Sequence, residues 1–247
     1  MIRGLYTGAS GMLAESMRTD VISNNLANAN TAGFKKDVAV MKDFASMLIT
    51  RINDGTDAPV IGKLGLGAVV DEVATAHSMG AMRTTGNDFD MAIEGKGFFS
   101  IETPQGVRYT RNGTFAKNAK GELITQEGYQ VLGENGPITI QGSKMVVDDT
   151  GRVLVDNQPV GKLQIVEFPN EKQLTKEGAS LYIAPPGQNG TTGAGGVRQG
   201  VLEMSNVNII SEMVNLISNY RAYEVNSKVV QSHDQLLDKA VNEVGKM

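Results

Sequence analysis

The chain is 247 residues long, carries 27 acidic against 23 basic residues for a formal net charge of −4, and contains neither Cys nor Trp. Disulfides, thiolate metal sites and cysteine nucleophiles are therefore excluded, and the basic residues, scattered singly or in pairs such as Lys35-Lys36, form no stripe that would engage nucleic acid. The length suffices for one large domain, or a domain with an appendage, with a buried core.

The first predicted element is an amphipathic helix. Ile2, Leu5, Ala9, Met12, Leu13, Met17, Val21, Ile22 and Leu26 recur at three- and four-residue steps and carry it to about Ala29. Gly4, Gly8 and Gly11 each cost roughly 0.5–1 kcal/mol relative to Ala in a helix interior. Such a helix needs packing to hold it, or stays disordered until it meets a partner. The run Gly8-Ala9-Ser10-Gly11 lacks the spacing of a serine nucleophile elbow and reads as small residues that permit close helix approach. No continuous apolar run occurs at the start, so neither a secretory signal peptide nor a transmembrane span is expected.

From Ser23 the sequence becomes rich in Asn. Asn28, Asn30 and Gly33 suit a fixed turn at the helix end, and Phe34 suits an anchor for it. Val38 to Leu48 reads as a further short amphipathic stretch, and 53–67, with Pro59 and three glycines, as a linker or extended arm before a strand over Ala68 to Ala74. Region 37–75 is thus expected to be a helix extension and connecting arm. Gly62, Gly65 and Gly67 precede a strand instead of following one, the wrong order for a dinucleotide loop.

The middle of the chain is built from short β-prone runs: Met91–Glu94, Phe98–Glu102, Val107–Arg111, Glu122–Thr125, Tyr129–Leu132, Ile138–Ile140, Met145–Asp148, Arg152–Val155 and Lys162–Phe168. Turn formers such as Asn112-Gly113, Lys120-Gly121 and Asp156-Asn157 punctuate them, which predicts an antiparallel all-β domain. Gln188 to Gly196 reads as a loop, and Val197 to Met204 as a last strand leading into the C-terminal helix.

That helix carries the clearest pattern. Ile209, Met213, Leu216, Tyr220, Tyr223, Ser227, Val230, Asp234, Leu237, Val241 and Val244 alternate steps of four and three, the seam of a coiled coil, with Asn208 as a plausible N-cap. Ile210, Val214 and Ile217 form a second row that widens the apolar face beyond what one partner helix would cover. At 1.5 Å per residue the helix spans roughly 54 Å, which points to neighbours in other subunits. Glu224 and Lys228 stand four apart in the favourable order and add about 0.2–0.5 kcal/mol.

Catalytic chemistry finds no foothold. His77 and His233 are the only histidines and no HExxH pattern occurs, so no metal or cofactor site is expected. The pairs Asp88/Asp90 and Asp148/Asp149 sit in turn-like contexts that favour capping over acid–base work.

Three separated blocks carry a family resemblance. The opening Met-Ile-Arg-Gly-Leu-Tyr-Thr-Gly-Ala-Ser-Gly-Met, the run Ser-Asn-Asn-Leu-Ala-Asn-Ala-Asn-Thr-Ala-Gly-Phe-Lys at 23–35, and Ser205-Asn206-Val207-Asn208 followed by Glu212-Met213-Val214, Arg221-Ala222-Tyr223-Glu224 and Asn226-Ser227-Lys228 resemble the bacterial flagellar rod and hook family. Gly95-Lys96-Gly97-Phe98-Phe99 and Tyr109-Thr110-Arg111-Asn112-Gly113 lend weaker support between them. The resemblance implies a non-enzymatic structural subunit of the flagellar basal-body rod, exported by the flagellar type III apparatus without a cleaved signal peptide. It would polymerise with itself and with homologous rod and hook proteins, and be neither a membrane-spanning nor a nucleic-acid-binding protein. A hook or hook-associated axial protein is the alternative, and proximal and distal rod positions stay open. The expected architecture is α+β and discontinuous: terminal amphipathic helices from 1–36 and 205–247 forming a coiled-coil base, the 37–75 extension and arm, and a central antiparallel β domain over 76–204. The assembly residues it implies are Ile2, Leu5, Met12, Leu13, Ile22, Leu26, Asn28, Thr31, Gly33 and Phe34, with Ile209, Ile210, Met213, Val214, Leu216, Ile217, Tyr220, Arg221, Tyr223, Val230 and Leu237.

Overall fold

The computed structural model describes residues 2–44, 46–50, 60–178, 180–188, 190–193 and 195–242. The fold is α+β: helices α1 (Ile2–Ala27) and α2 (Ile209–Asn242) flank a strand-rich middle. The chain divides into two compact units, one of Met1–Leu26, Asp37–Ala74 and Ile209–Met247, the other of Ala27–Lys36 and Thr75–Asn208.

In the helical unit α1 and α2 run antiparallel. Along α1, Gly4 faces His233, Gly8 faces Val230, Gly11 faces Asn226, and Glu15 and Thr19 meet Asn219. A Cβ on Gly8 would stand 2.8 Å from Val230 Cγ2, and one on Gly11 2.8 Å from Asn226 Nδ2. The glycines that weaken α1 as an isolated helix therefore let α2 approach it. Asn219 is buried and donates to the Glu15 carbonyl at 2.7 Å and to Thr19 Oγ1 at 2.6 Å.

The face that α2 turns toward α1 is not the most apolar one. Glu212, Asn219, Asn226 and His233 recur every seventh position along it, interleaved with Leu216, Val230 and Leu237. Of the predicted seam, Ile209, Met213 and Tyr220 are instead exposed, and Val244 lies outside the described residues. The packed face is rotated because Asn219 and the glycines of α1 fix the contact through hydrogen bonds and close approach, while the oilier side chains stay outside.

Where a helix extension is expected, the chain forms strands: β1 (Asp37–Asp43), β2 (Ser46–Thr50), β3 (Val60–Gly65) and β4 (Ala68–Thr75). β2 pairs antiparallel with β3, and β1 pairs with β4. Asn25 supplies the physical reason, because its side chain accepts from the Asp37 N–H at 2.9 Å and donates to the Asp37 carbonyl at 2.7 Å. Asp37 is thereby committed to an extended partner and cannot continue α1, and Val38 and Val40, two apart and β-branched, favour a strand beyond it. Of the arm expected over 53–67, residues 53–59 lie outside the described residues and Val60–Gly65 form β3.

The second unit is a mostly antiparallel β body. Its main sheet runs in the order Thr175–Glu177, Leu181–Ile183, Gly106–Thr110, Phe98–Thr103, Gln130–Gly133, Leu123–Thr125 and Phe115–Lys117. Ile165–Glu167 adds to Phe98–Thr103 and to Thr191–Thr192, the latter a short strand inside the predicted 188–196 loop. A three-stranded meander, Met145–Val147, Arg152–Val155 and Gln158–Lys162, turns at Asp156 and Asn157, both at positive φ as a two-residue hairpin of right-handed twist requires. The predicted last strand is broken in two at Gly200, φ 72°: Gly196–Gln199 pairs with Met91–Glu94, and Val201–Glu203 with Met82–Thr84.

Phe98 and Phe99, adjacent on one strand, enter two separate cores because successive side chains point to opposite faces. Phe99 packs with Met91, Ile101, Phe115 and Leu123, and Phe98 with Val166, Phe168, Leu174 and Tyr182. Both faces of that strand are thus covered.

Candidate functional site

Two features stand out, one in each unit. In the helical unit it is the outward face of α2. Ile210, Met213, Val214, Ile217 and Tyr220 are exposed, Ile210 at 76% and Tyr220 at 67%. Apart from Glu212, which is buried, no charged residue occurs between Ile209 and Tyr220. Together these side chains form a contiguous uncharged apolar stripe along that face.

In the β body the residues after α1 and those before α2 are locked together by a buried charge cluster. Lys35 Nζ donates to Glu203 Oε1 at 2.5 Å and to the Ser78 carbonyl at 2.8 Å. Glu203 Oε1 also accepts from the Gly80 N–H at 2.9 Å, while Oε2 faces Arg111 Nη1 at 3.4 Å. Lys35 and Glu203 are each 1% exposed. One carboxylate thus answers two cations, and the surplus positive charge is met by backbone carbonyls, Arg111 Nη2 donating to Gly95 at 2.8 Å. Burial pulls both the Lys35 and Arg111 pKa values down, and Glu203 acts against that in each case.

Backbone bonds complete the junction. The Gly33 N–H donates to the Glu203 carbonyl at 2.8 Å, and the Lys36 N–H to Asn206 Oδ1 at 2.7 Å. Asn206 Nδ2 reaches the Ala76 carbonyl at 2.8 Å, so a single side chain bridges three segments. Phe34 is completely buried with Lys176 Nζ 3.7 Å above its ring. Gly33 sits at φ 69° with the backbone of Arg111 and Asn112 where a Cβ would point, which leaves no room for another residue.

Beside this cluster His77 lies against Phe98 and Tyr182, ring centroids at 5.8 and 5.4 Å. Burial first, then the positive charges of Lys35 and Arg111, lower its pKa from 6.5 to about 4. It is neutral at pH 7. Asp148 is drawn down by the Thr150 hydroxyl, and then by the Arg152 and Thr150 backbone, in the turn-capping role expected for it. Among the described residues no group of three or more His, Asp or Glu is placed to hold a metal ion.

The implied assembly residues separate into three groups. Ile209, Ile210, Met213, Val214, Ile217, Tyr220, Arg221 and Tyr223 are exposed on α2, as Leu13 is on α1; Leu5, Met12, Ile22 and Leu26 of α1, and Leu216, Val230 and Leu237 of α2, are partly or fully buried. Asn28, Thr31, Gly33 and Phe34 belong to the β body, where the Thr31 hydroxyl donates to Asn28 Oδ1 at 3.3 Å. The side chain of Ile2 is outside the described residues. Glu224 and Lys228 form the expected i,i+4 pair at 2.9 Å. Sequence reasoning missed Lys35, Arg111, Glu203 and Asn206 as one cluster, although Lys35 ends the run quoted for the family resemblance and Asn206 lies in another of its blocks.

Three family models match: "Flagella basal body rod protein" over residues 5–35, "Flagellar hook protein FlgE/F/G D1 domain" over 92–155, and "Flagellar basal body rod FlgEFG protein C-terminal" over 198–243. Among curated proteins the chain is similar to the flagellar basal-body rod protein FlgG of Bacillus subtilis, 37% identical over 98% of this chain and 99% of the relative. FlgG of Borreliella burgdorferi is 38% identical over 98% of each chain, and the flagellar hook-basal body complex protein FlhO of Bacillus subtilis 32% identical over 100% of each.

Proposed function

The chain belongs to the flagellar basal-body rod family and is a structural subunit of the basal-body rod, and from this premise we propose that the paired terminal helices are its polymerising element. The observation that carries the proposal is the uncharged stripe Ile210, Met213, Val214, Ile217 and Tyr220, exposed in the single chain. Burying each such side chain against a neighbour contributes on the order of 1–2 kcal/mol, given that each is already partly covered. The stripe is a ridge on one side of a helix pair, so repeated contact between copies is heterologous and builds an open helical array, the form a shaft needs. The α1–α2 pair is then one spoke of a coiled-coil base, and the β body supplies lateral contacts.

As its other partners we propose further copies of this chain, homologous rod and hook proteins along the axis, and the flagellar type III export apparatus. The role is mechanical and not catalytic. No helix of the described residues is long and apolar enough to cross a membrane.

Hydroxyl-radical labelling of side chains tests this. Met213 and Tyr220 react readily in the dilute monomer and become protected in isolated rods, while Val146, exposed on the β body, serves as the internal comparison. Equal labelling of Met213 and Tyr220 in monomer and rod contradicts the proposal.

A further inference from the structure

A second surface of the helical unit has the shape to receive that stripe. Ser10, Leu13, Ala14 and Met17 of α1 stand at i, i+3, i+4 and i+7 and form the four-cornered hole into which a facing helix inserts one knob. Phe44, just past β1, and Ala68 and Val69 of β4 wall it, leaving an apolar groove of about 90 Å³, the scale of a single aliphatic side chain. Leu13 and Phe44 are exposed at 62% and 50%, so the rim is as unsatisfied as the stripe.

Building on the polymerisation reading, we propose that this groove is the socket for the outer stripe of α2 from a second copy of the chain, with Ile217 as the knob. The two surfaces match in chemistry. Between Gly4 and Met17 of α1 the one charged residue is Glu15, its side chain 17% exposed, as between Ile209 and Tyr220 of α2 it is buried Glu212. Both are open in one molecule, so neither covers the other. They also differ in shape, ridge against hole, and a head-to-tail contact joins two such different surfaces.

Position along the helix pair adds a constraint. Gly11 lies level with Asn226 and Glu15 with Asn219 of the same chain, so the hole lies level with α2 beyond the end of the stripe at Tyr220. Seating Ile217 of another copy there shifts that copy along the axis, by roughly 9 Å at 1.5 Å per residue for equally directed helices. Each added subunit steps forward as it goes round. A competing hole on α2 itself, lined by Val225, Val229, Ser232 and Leu236, carries Lys228 on its rim and suits an uncharged knob less well.

The chain has no cysteine, so paired cysteines report the contact directly. In rods built from Leu13→Cys/Ile217→Cys, mild oxidation yields a ladder of covalent multimers, because a disulfide requires Cα atoms within about 7 Å; dilute monomer of the same variant gives none. Filling the groove with Ala68→Phe abolishes assembly while the helix content measured by circular dichroism stays that of the parent. Rods that form but leave the Leu13/Ile217 pair reduced, or that cross-link in Ile217→Cys/Val229→Cys instead, overturn the socket, as does undiminished assembly of Ala68→Phe. If Ile217→Asp prevents assembly while the Leu13/Ile217 cross-link never forms in rods, the stripe remains a subunit contact and only the socket is wrong.

Discussion

Lys35 and Glu203, separated by 168 positions in the chain, meet at 2.5 Å with both side chains shut off from solvent. The pair joins the segment that leaves α1 to the strand that feeds α2. Among the described residues one carboxylate, Glu203, forms ion pairs with both buried cations, Lys35 and Arg111, so the two partners are not equivalent. Glu203→Gln leaves two cations uncompensated and costs about 3–5 kcal/mol, whereas Lys35→Met leaves Glu203 still paired with Arg111 and costs less, about 1–3 kcal/mol. Urea unfolding of the full chain checks the order, and a larger loss for Lys35→Met contradicts it.

His77 links the same cluster to pH. Its folded pKa of about 4 lies below the ordinary 6.5, so between those values the unfolded chain binds more protons and stability rises with pH. The contribution is complete above pH 6.5 and is lost as pH falls toward 4. After allowance for the ring's partial exposure it amounts to about 1–3 kcal/mol. Replacing the ring by His77→Phe, which keeps an aromatic against Phe98 and Tyr182, flattens the stability profile between pH 4 and 6.5. A variant profile parallel to the parent's means another group is responsible.

Two glycines are expected to respond to methylation on different scales. Gly33→Ala meets both a left-handed φ of 69° and the rigid backbone of Arg111 and Asn112, and costs at least about 2–3 kcal/mol. Gly8→Ala crowds a Val230 methyl at 2.8 Å and touches the Asn226 carbonyl at an ordinary 3.6 Å, and recovers up to about 1 kcal/mol of helix propensity against that crowding. Its net effect is within about 1 kcal/mol of zero. Thermal unfolding of the two variants separates them; a tolerated Gly33→Ala contradicts the junction geometry.

The helices were legible because their apolar period of 3.6 is written over many turns, and the β body because short alternating runs are cut by turn formers. The face on which α2 meets α1 was not. Hydrophobic patterning singles out the oiliest seam, here Ile209, Met213 and Tyr220, whereas the intramolecular contact uses Asn219, Asn226 and the glycines of α1, whose value lies in close approach and hydrogen bonds. Strands β1 and β2 were hidden for a related reason: Val38, Val40 and Met41 fit either period, and the deciding interaction is the paired hydrogen bond from Asn25 to Asp37. The Lys35, Arg111 and Glu203 cluster has no local signature at all, since its members are drawn from three distant segments and look individually like solvated charges. Sequence pattern therefore pointed to the apolar side chains left exposed on α2 more clearly than to its contacts with α1.

Ile217→Asp is the most direct measure of the central claim. The side chain is 55% exposed and faces away from α1, unlike half-buried Leu216, so a carboxylate there spares the fold and burdens only an intersubunit contact. The account predicts a chain with the parent's circular dichroism and unfolding midpoint that no longer forms rods in cells. Rods of normal length and stability built from Ile217→Asp would contradict it.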